Sequence, residues 1–388
     1  AQVWDMLEVF EDWFGPYPFA SEKYGHAEVT FGGGMEHQTM SSMGGSSFGL
    51  VAHELAHQWF GDKISPRTWP ELWLNEGFAT YGELVYWEER SSTYPGTYES
   101  VLAARYNSAK SAVGTLVLED TTSVSNMFAG SRVYAKGAVV LNMLRYVVGD
   151  AVFKDILRVY AADPAVAYGV ASTADFKRVA ETESGLDLSA FFDQWVTSGT
   201  GYPSYQLSSF WHPSAGGYTV WAWVAQTQEL PQSNVSVFEM PLVIAVFTTM
   251  GEERFVVQND QRTQNFELAV SSQPVLVVLD PDGVILRSST VETAVANERP
   301  PAPLAIRSLS PNPARGLVMV EFSTPAGGDV AMEVFDVAGR RVLERVTRAG
   351  GDGVGVEWLD TSALASGMYF LRIAGPLGSA TRKFAVVR

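Results

Sequence analysis

The residues of this chain that could do chemistry are concentrated in the segment His53-Glu54-Leu55-Ala56-His57, with a carboxylate, Glu76, further along. Two histidines four positions apart on a helix project from one face, so both imidazoles can reach a single metal ion at about 2.0 Å. Glu76 stands at the start of a second predicted helix, residues 75–90, and a carboxylate can be the third ligand while a fourth position stays open for water. The pattern predicts a hydrolytic site with one Zn²⁺ held by His53, His57 and Glu76, and with Glu54 as general base.

A helix is predicted around the motif. Apolar residues recur at helical spacing, at Phe48, Val51, Ala52, Leu55 and Trp59. Gly61 follows the last of them, where a left-handed cap would end a helix.

The alternative is that these are ordinary histidines of an amphipathic helix. The chain has only 5 His among 388 residues, two of which fall in this pattern, and Glu76 completes a ligand set. A metzincin is excluded because Phe60 and Lys63 stand where that pattern requires Gly and His. These observations favour zinc with a glutamate as third ligand.

Four ordered motifs together resemble the gluzincin aminopeptidase family of alanyl aminopeptidase and leukotriene hydrolase. The motifs are Gly33-Gly34-Met35-Glu36-His37, HELAHQWFGD at 53–62, WLNEGFATY at 73–81 and Tyr134-Ala135-Lys136-Gly137. The resemblance covers roughly residues 1–290 and implies an α-rich, thermolysin-like catalytic domain at 1–200.

The resemblance also implies roles for individual residues. Glu36 would bind the free α-ammonium of a substrate, and the backbone of Gly33 and Gly34 would lie against it. Tyr134 would donate a hydrogen bond to the oxygen of the tetrahedral intermediate. Without the family, residues 33–37 would be interpreted as a glycine-rich turn and Tyr134 as a core aromatic in a helix.

The sequence departs from the family's usual pattern in two places, at His37 and at Gly32. His37 stands where the family generally has Asn, which adds a titratable group near the site. Gly32, before the motif, and Met35, within it, are also expected to contact substrate. Because Gly32 has no side chain, we expect a roomy pocket for bulky apolar N-terminal residues.

Two acidic residues are candidate partners of the ligand imidazoles, whose free ring nitrogens must be held in one tautomer. Glu83 lies two helical turns after Glu76, and Asp62 ends the second motif. For Glu83, a charge exposed to solvent is favoured over a contact with an imidazole. For Asp62, both alternatives also remain open.

Charge and composition exclude several classes of protein. The net charge is −16, from 43 acidic and 27 basic residues, so binding to nucleic acid is not expected. The longest apolar runs fall far short of the roughly 20 residues that span a bilayer, so no transmembrane segment is expected. With no cysteine, disulfides and thiolate ligands are excluded, and an extracytoplasmic location is permitted.

The chain opens inside a predicted amphipathic helix that ends at Gly15-Pro16, with no initiator methionine or signal peptide before it. We therefore expect a catalytic domain that is incomplete at its N-terminus, and weakened activity for these residues alone. A predicted strand at 27–31 would then have an unpaired edge.

A β-sandwich is predicted at 201–290, because short β-branched runs separated by turns replace the helical pattern. The predicted strands are 218–226, 242–248, 255–258, 275–279 and 284–286, with a turn at 280–283. Residues 291–303 contain Pro300, Pro301 and Pro303 and are predicted to be a linker.

Residues 304–388 are predicted to form a third domain with strands at 318–322, 330–335, 354–358, 368–373 and 383–387. This domain resembles the C-terminal sorting domains of the type IX secretion system and an immunoglobulin-like β-sandwich. The resemblance rests on Pro311-Asn312-Pro313, 334–340, 364–370 and the ending 383–388. It implies contact with secretion machinery and a secreted or cell-surface bacterial protein, and the alternative is an accessory module that binds a surface or a glycan.

The sequence thus favours a zinc aminopeptidase whose substrates are peptides with a free N-terminus. A zinc endopeptidase or an epoxide hydrolase on the same scaffold is the alternative among enzymes. A non-catalytic adhesion protein is the alternative outside them, although the candidate ligands and base are all present.

Overall fold

A computed structural model describes residues 2–293, 304–324, 329–348, 354–375 and 378–388. Helices dominate as far as Thr197, and strands dominate from Ser204 onward. The α-helices within the described residues are α1 (Gln2–Phe14), α2 (Phe48–Ala56), α3 (Trp73–Glu89), α4 (Thr97–Ala109), α5 (Val124–Met127), α6 (Gly137–Val148), α7 (Asp150–Ala162), α8 (Thr173–Ser184) and α9 (Ser189–Phe192). Short strands lie between them: β1 (Gly25–Glu28), β2 (Gly34–Met35), β3 (Met40–Met43), β4 (Ile64–Pro66) and β5 (Gly169–Ala171).

The helix that carries the histidines is shorter than predicted. Ser47 caps its start by accepting a hydrogen bond from the Leu50 amide, and α2 ends at Ala56, with His57 as its C-cap. The predicted left-handed cap at Gly61 is wrong, because Gly61 has a φ of 145° and lies outside the helix. A Cβ at Gly61 would overlap the side chain of Asn75, so glycine lets this loop pass directly against α3.

Helix α3 runs through the centre of the helical part and is buried from Trp73 to Tyr86. Acidic side chains on such a helix need partners, because an unpaired buried charge is costly. At Gly77, α3 crosses α6 in backbone contact: a Cβ at Gly77 would lie 3.0 Å from the Cα of Gly137. The crossing therefore fixes the distance between the segments that carry Glu76 and Tyr134.

The predicted strand at 27–31 is displaced toward the N-terminus. Strand β1 covers Gly25–Glu28 and pairs in parallel with β3, in a sheet of order β1-β3-β2. Phe31 lies outside the strand with half of its surface exposed. Within the described residues β1 is an edge strand, as expected.

The next part forms two sheets from seven strands. They are β6 (Ser204–Ser214), β7 (Gly217–Gln226), β8 (Met240–Thr248), β9 (Gly251–Asn259), β10 (Thr263–Val270), β11 (Pro274–Leu279) and β12 (Ser288–Thr293). The sheet orders are β10-β7-β6-β12 and β11-β8-β9. Buried residues of both sheets belong to the same hydrophobic core as the helices, through contacts such as Trp195 with Phe238.

Two predictions about this part are wrong. Residues 284–286 are not a strand; they follow the turn at Asp280 and pack on α6, where the Leu286 amide donates to the Met143 sulfur. The predicted linker begins too early, because 291–293 belong to β12, which pairs in parallel with β6. The rest of the predicted linker, 294–303, lies outside the described residues.

The C-terminal part has a hydrophobic core of its own. Its strands are β13 (Ala305–Ser310), β14 (Leu317–Ser323), β15 (Asp329–Asp336), β16 (Arg341–Arg348), β17 (Val354–Asp360), β18 (Gly367–Gly375) and β19 (Gly378–Val386). They form sheets of order β13-β14-β17 and β16-β15-β18-β19. β13 and β16, like β6 and β10, were not predicted.

Across the part of the chain that the structure describes, we find no helix of the length and apolar character that a membrane span requires.

Candidate active site

Three donor atoms converge where α2 meets α3. The Nε2 atoms of His53 and His57 are 3.1 Å apart, and Oε2 of Glu76 lies 3.3 Å from the first and 3.5 Å from the second. Ligand atoms about 2.0–2.1 Å from a tetrahedral zinc ion are separated from each other by about 3.3 Å. The triangle therefore has the size of one face of a zinc coordination tetrahedron.

The other ring nitrogens are already engaged. Nδ1 of His53 lies 3.0 Å from Oε1 of Glu83, and Nδ1 of His57 lies 3.0 Å from the carbonyl oxygen of Phe60. The carbonyl oxygen of Phe60 can only accept, so Nδ1 of His57 is the donor, and Nε2 of the same ring is left to face Nε2 of His53. Two ring nitrogens and a carboxylate oxygen at these distances need a shared proton or a metal ion between them, so the residues fit a zinc ion.

The electrostatics of the cluster agree with this reading. Burial alone would lower the pKa of His53, but hydrogen bonds with Glu76 and Glu83 outweigh it and raise that pKa to about 10. Burial acts to raise the pKa of Glu76, yet its hydrogen bonds with the two imidazoles bring it down to about 2. The three donors thus favour a positive charge among them, either a proton or a metal ion.

Glu54 lies beside this triangle and is nearly fully buried. Its Oε2 has no hydrogen-bond partner within the described residues, and burial raises the pKa of its carboxyl group. Gly34 of β2 packs directly on this side chain, because a Cβ there would overlap the Glu54 carboxylate. An unengaged carboxylate beside a metal site is placed to take a proton from water.

Glu36 lies in the same cavity, anchored from α3. The side-chain amide of Asn75 donates to Glu36 Oε1 at 2.9 Å. Carboxylate oxygens of Glu36 and Glu54 and a nitrogen of His57 all lie within 4.8 Å of one another. These three could also hold a metal ion, but His53, His57 and Glu76 have the spacing of a tetrahedral face.

Tyr134 belongs to a π-helical turn, Gly130–Lys136, that leads into α6. Such turns are rare in proteins, and those that occur often lie at functional sites. The extra residue in the turn changes the direction of a side chain. The Tyr134 ring stacks on His53 with ring centres 5.9 Å apart. Burial, with the nearby carboxylates of Glu76 and Glu36, raises the pKa of the phenol, so it keeps its proton and can donate it in a hydrogen bond.

One open cavity of about 740 Å³ brings these residues together. Its lining includes the predicted Gly32, Gly33, Gly34, Glu36, His53, Glu54, His57, Glu76 and Tyr134, and further Ser47, Gly49, Leu50, Thr80, Glu83, Arg105, Ser108, Phe128 and Gly130. Met35 is not in the lining, since successive residues of β2 face opposite ways and Gly34 faces Glu54. The predicted substrate contact by Met35 is therefore not supported for its side chain, and the His37 ring is engaged with Ser42 instead.

The two candidate partners of the imidazoles differ in outcome. The solvated alternative for Glu83 is wrong, because its side chain is 10% exposed and contacts His53. Asp62 instead accepts a hydrogen bond from Gln58 at 2.7 Å, and the partner of His57 is a backbone carbonyl.

Two parts of the chain match models of known families. The model described as "Peptidase family M1 domain" matches residues 35–195, which include all three proposed ligands, Glu54, Glu36 and Tyr134. Residues 35–195 are a peptidase family M1 domain. The model described as "Secretion system C-terminal sorting domain" matches residues 308–387, so the M1 domain is followed by a sorting domain.

Individual relatives agree with the family. The M1 domain region is 33% identical over 164 residues to Tricorn protease-interacting factor F2 of Thermoplasma volcanium, covering 41% of this chain and 20% of the relative. It is 34% identical over 161 residues to Aminopeptidase N of Lactococcus lactis subsp. lactis, covering 40% of this chain and 19% of the relative. The matched segment thus spans about a fifth of the length of these relatives.

A solved structure shares the fold over a longer stretch. Legionella pneumophila aminopeptidase A, solved in complex with aspartic acid, superposes with a TM-score of 0.60 over 76% of this chain and 35% of that chain. The sequences are 18% identical, so the likeness concerns the fold.

Proposed function

We propose that this chain is a zinc-dependent aminopeptidase that removes N-terminal residues from peptides. One observation carries the proposal: Glu36 opens into the same cavity as the His53, His57 and Glu76 triangle, within 4.8 Å of Glu54 and His57. A carboxylate at a fixed short distance from the reacting groups can hold a substrate by its α-ammonium group. That contact would place the first peptide bond, and no later one, at Glu54.

The chain's own groups account for the proton transfers. A zinc ion held by His53, His57 and Glu76 would lower the pKa of a bound water and polarise the substrate carbonyl. Glu54 accepts a proton from the water as the water oxygen adds to the carbonyl carbon of the first peptide bond. It then gives that proton to the peptide nitrogen as the C–N bond breaks. The buried, unpaired Oε2 of Glu54 suits both steps.

Tyr134 stabilises the negative charge that develops on the carbonyl oxygen. As the carbonyl oxygen becomes negative, the protonated phenol of Tyr134 donates a hydrogen bond to it. The π-helical turn and the stacking on His53 hold the phenol at the cavity.

Glu54→Gln tests the assignment of the base. We expect Glu54→Gln to bind one zinc ion per chain, as the natural protein does, and to lose turnover of aminoacyl substrates. Loss of zinc from the variant would assign Glu54 to folding of the site and not to proton transfer.

Amine-blocked peptides separate the functions that share this scaffold. We expect acetylation of the substrate amine to abolish cleavage, whereas a zinc endopeptidase would still cut such peptides. An epoxide hydrolase would turn over epoxides and no peptide. If no substrate is turned over in a chelator-sensitive way, the non-catalytic adhesion protein becomes the favoured function.

The substrate side chain is proposed to be bulky and apolar. Gly32 lines the cavity, and a Cβ at this position would meet no atom within 4 Å, so there is open space beside it. We expect leucyl, methionyl and phenylalanyl substrates to be cleaved faster than alanyl ones. The reverse order would refute a roomy pocket.

We further propose that residues 304–388 direct export by the type IX secretion system, so that the enzyme acts outside the cell. The match to a sorting domain and the separate core of this part support the proposal. An inert periplasmic reporter fused to residues 304–388 should appear outside the cell in a host with that system. Retention of the fusion would favour a surface- or glycan-binding module.

A further inference from the structure

We propose that Arg105 of α4 is a positioning residue of the zinc site, which sets the affinity for zinc by locking Glu83 against His53. The inference rests on the proposed zinc site. It concerns a residue that makes no contact with the three ligand atoms among its described interactions.

The three side chains form a chain of contacts that ends at the metal position. Arg105 Nη2 lies 2.7 Å from Glu83 Oε2, and the other oxygen of the same carboxylate, Oε1, lies 3.0 Å from Nδ1 of His53. Because each oxygen has its own partner, the carboxylate cannot rotate without breaking one of two charge-assisted hydrogen bonds. The orientation of the His53 ring is thereby fixed from a different helix.

The cavity needs this constraint because it is crowded with acids. Glu36, Glu54, Glu76 and Glu83 all line it, and Arg105 is the one Lys or Arg among its described lining residues. Without a cation beside it, Glu83 would be repelled by the other carboxylates and would gain by turning toward solvent. Only 10% of the Glu83 side chain and 31% of the Arg105 side chain are exposed, so the pair is partly shielded from screening.

A purely electrostatic role makes the opposite prediction. Arg105 carries the same sign of charge as the metal ion, so Coulomb's law alone requires that its removal strengthens zinc binding. A positioning role requires that removal weakens zinc binding, since His53 loses its fixed tautomer and direction. The sign of the change therefore distinguishes the two roles.

A role in substrate binding also differs in its signature. If Arg105 served to bind an acidic group of the substrate, its removal would raise KM for acidic peptides and leave zinc affinity unchanged. The Glu83 contact already occupies one end of the guanidinium, which favours positioning.

The experiment measures zinc affinity of the metal-depleted protein by competition with a chromogenic chelator. We expect Arg105→Gln to weaken zinc binding about 10-fold and Glu83→Gln to weaken it about 10- to 100-fold. The double variant should bind zinc no more weakly than Glu83→Gln alone, because Arg105 acts through Glu83. Arg105→Lys should recover part of the loss, as a point charge without the planar fork.

Arg90→Gln is the matched control, since Arg90 is the C-cap of α3, the helix that carries Glu83, and pairs with Asp5 of α1 at 2.8 Å, away from the cavity. We expect it to leave zinc affinity unchanged. Unchanged or tighter binding by Arg105→Gln, or additive losses in the double variant, would overturn the proposal. If Arg105→Gln fails to fold, the zinc affinity of Arg105→Lys is compared with that of the natural protein. Weaker binding supports the proposal, and unchanged or tighter binding overturns it. A natural protein that binds no zinc would instead refute the proposed function.

Discussion

Residues of α2 and α3, which form the floor of the cavity, are largely buried, whereas most residues of its wall, 31–44, are exposed. The floor holds its charged groups by pairs of contacts, as in Arg105 with Glu83 and Glu83 with His53. Among the described residues, Glu36 of the wall accepts one hydrogen bond, which comes from Asn75 of the floor. If the proposed function is correct, this difference separates two tasks: the floor fixes the reacting groups, and the wall contacts substrates of varied sequence.

The largest expected loss of turnover comes from adding a side-chain atom where the wall touches the floor, at Gly34. Gly34→Ala adds a Cβ that overlaps the Glu54 carboxylate, so the base must move. We expect turnover to fall about 100-fold or more, in the range that general acid–base catalysis contributes, with zinc content unchanged. Turnover and metal content of the purified variant check this.

Gly32→Ala is the matched control for Gly34→Ala. Its backbone does not require glycine, and its Cβ would meet no atom within 4 Å. With an alanyl substrate, whose small side chain does not need the space beside Gly32, we expect turnover close to that of the natural protein. Equal losses in both variants would mean that the whole wall, and not one contact, controls Glu54.

The next effect removes a group that belongs to neither the floor nor the wall, on the π-helical turn before α6. Tyr134→Phe deletes the phenol that would donate to the developing oxyanion, so we expect turnover to fall about 100-fold. KM and zinc affinity should change little, because the ring still stacks on His53. A change confined to KM would assign Tyr134 to substrate binding.

A smaller effect is expected where floor and wall are joined. Asn75→Leu removes the amide that donates to Glu36, a hydrogen bond to a charged group worth about 1.5–3 kcal/mol. We expect KM for aminoacyl substrates to rise about 10-fold or more while turnover at saturation changes less. Steady-state kinetics check the split, and a loss of turnover alone would place Glu36 in the chemical step.

The smallest effect concerns the acid stability of the helices around the floor. Hydrogen bonding to Arg90 lowers the pKa of Asp5 below its ordinary 3.8, and Asp5 is partly exposed. A lowered folded-state pKa gives stability that is present above the ordinary value and is lost as pH falls through the lowered one. We expect a melting temperature that is level between about pH 7 and 5 and falls below about pH 4.

Asp5→Asn tests the origin of that stability. The pair contributes about 0–1 kcal/mol, because it is near the surface. The variant should melt a few degrees lower at pH 7 and lose less on acidification. Activity lost between about pH 7 and 5 without a change in melting would belong to the site and not to the fold.

Sequence patterns located the floor better than the wall. The i, i+4 spacing of His53 and His57 pointed to one metal position, because helical geometry leaves two such rings little freedom. Glu36 and Tyr134 were found only through family resemblance, since a lone acid after glycines and an aromatic in a stripe are ordinary features. The π-helical turn at Tyr134 has no signal in the 3.6-residue pattern.

The remaining errors have a common physical cause: they depend on contacts between distant parts of the chain. Spacing alone offers Glu83 as a partner of an imidazole but favours a solvated charge, because it does not show that α3 is buried from Trp73 to Tyr86. Arg105 reaches Glu83 from another helix, 22 positions away, with no periodic relation to the motif. Strand β6 escaped prediction because its serines break the apolar alternation, although β7 and β12 pair with it on both sides.

The contact between Gly77 and Gly137 has a consequence for engineering this protein. Glu76 is the neighbour of Gly77, and Tyr134 lies three residues before Gly137, so a proposed metal ligand and the proposed oxyanion donor are both tied to one backbone crossing. Residues 31–44 can therefore be replaced, and the variants screened for new substrates, without changing the distance between Glu76 and Tyr134. A library that varies the crossing itself would change every substrate's rate together.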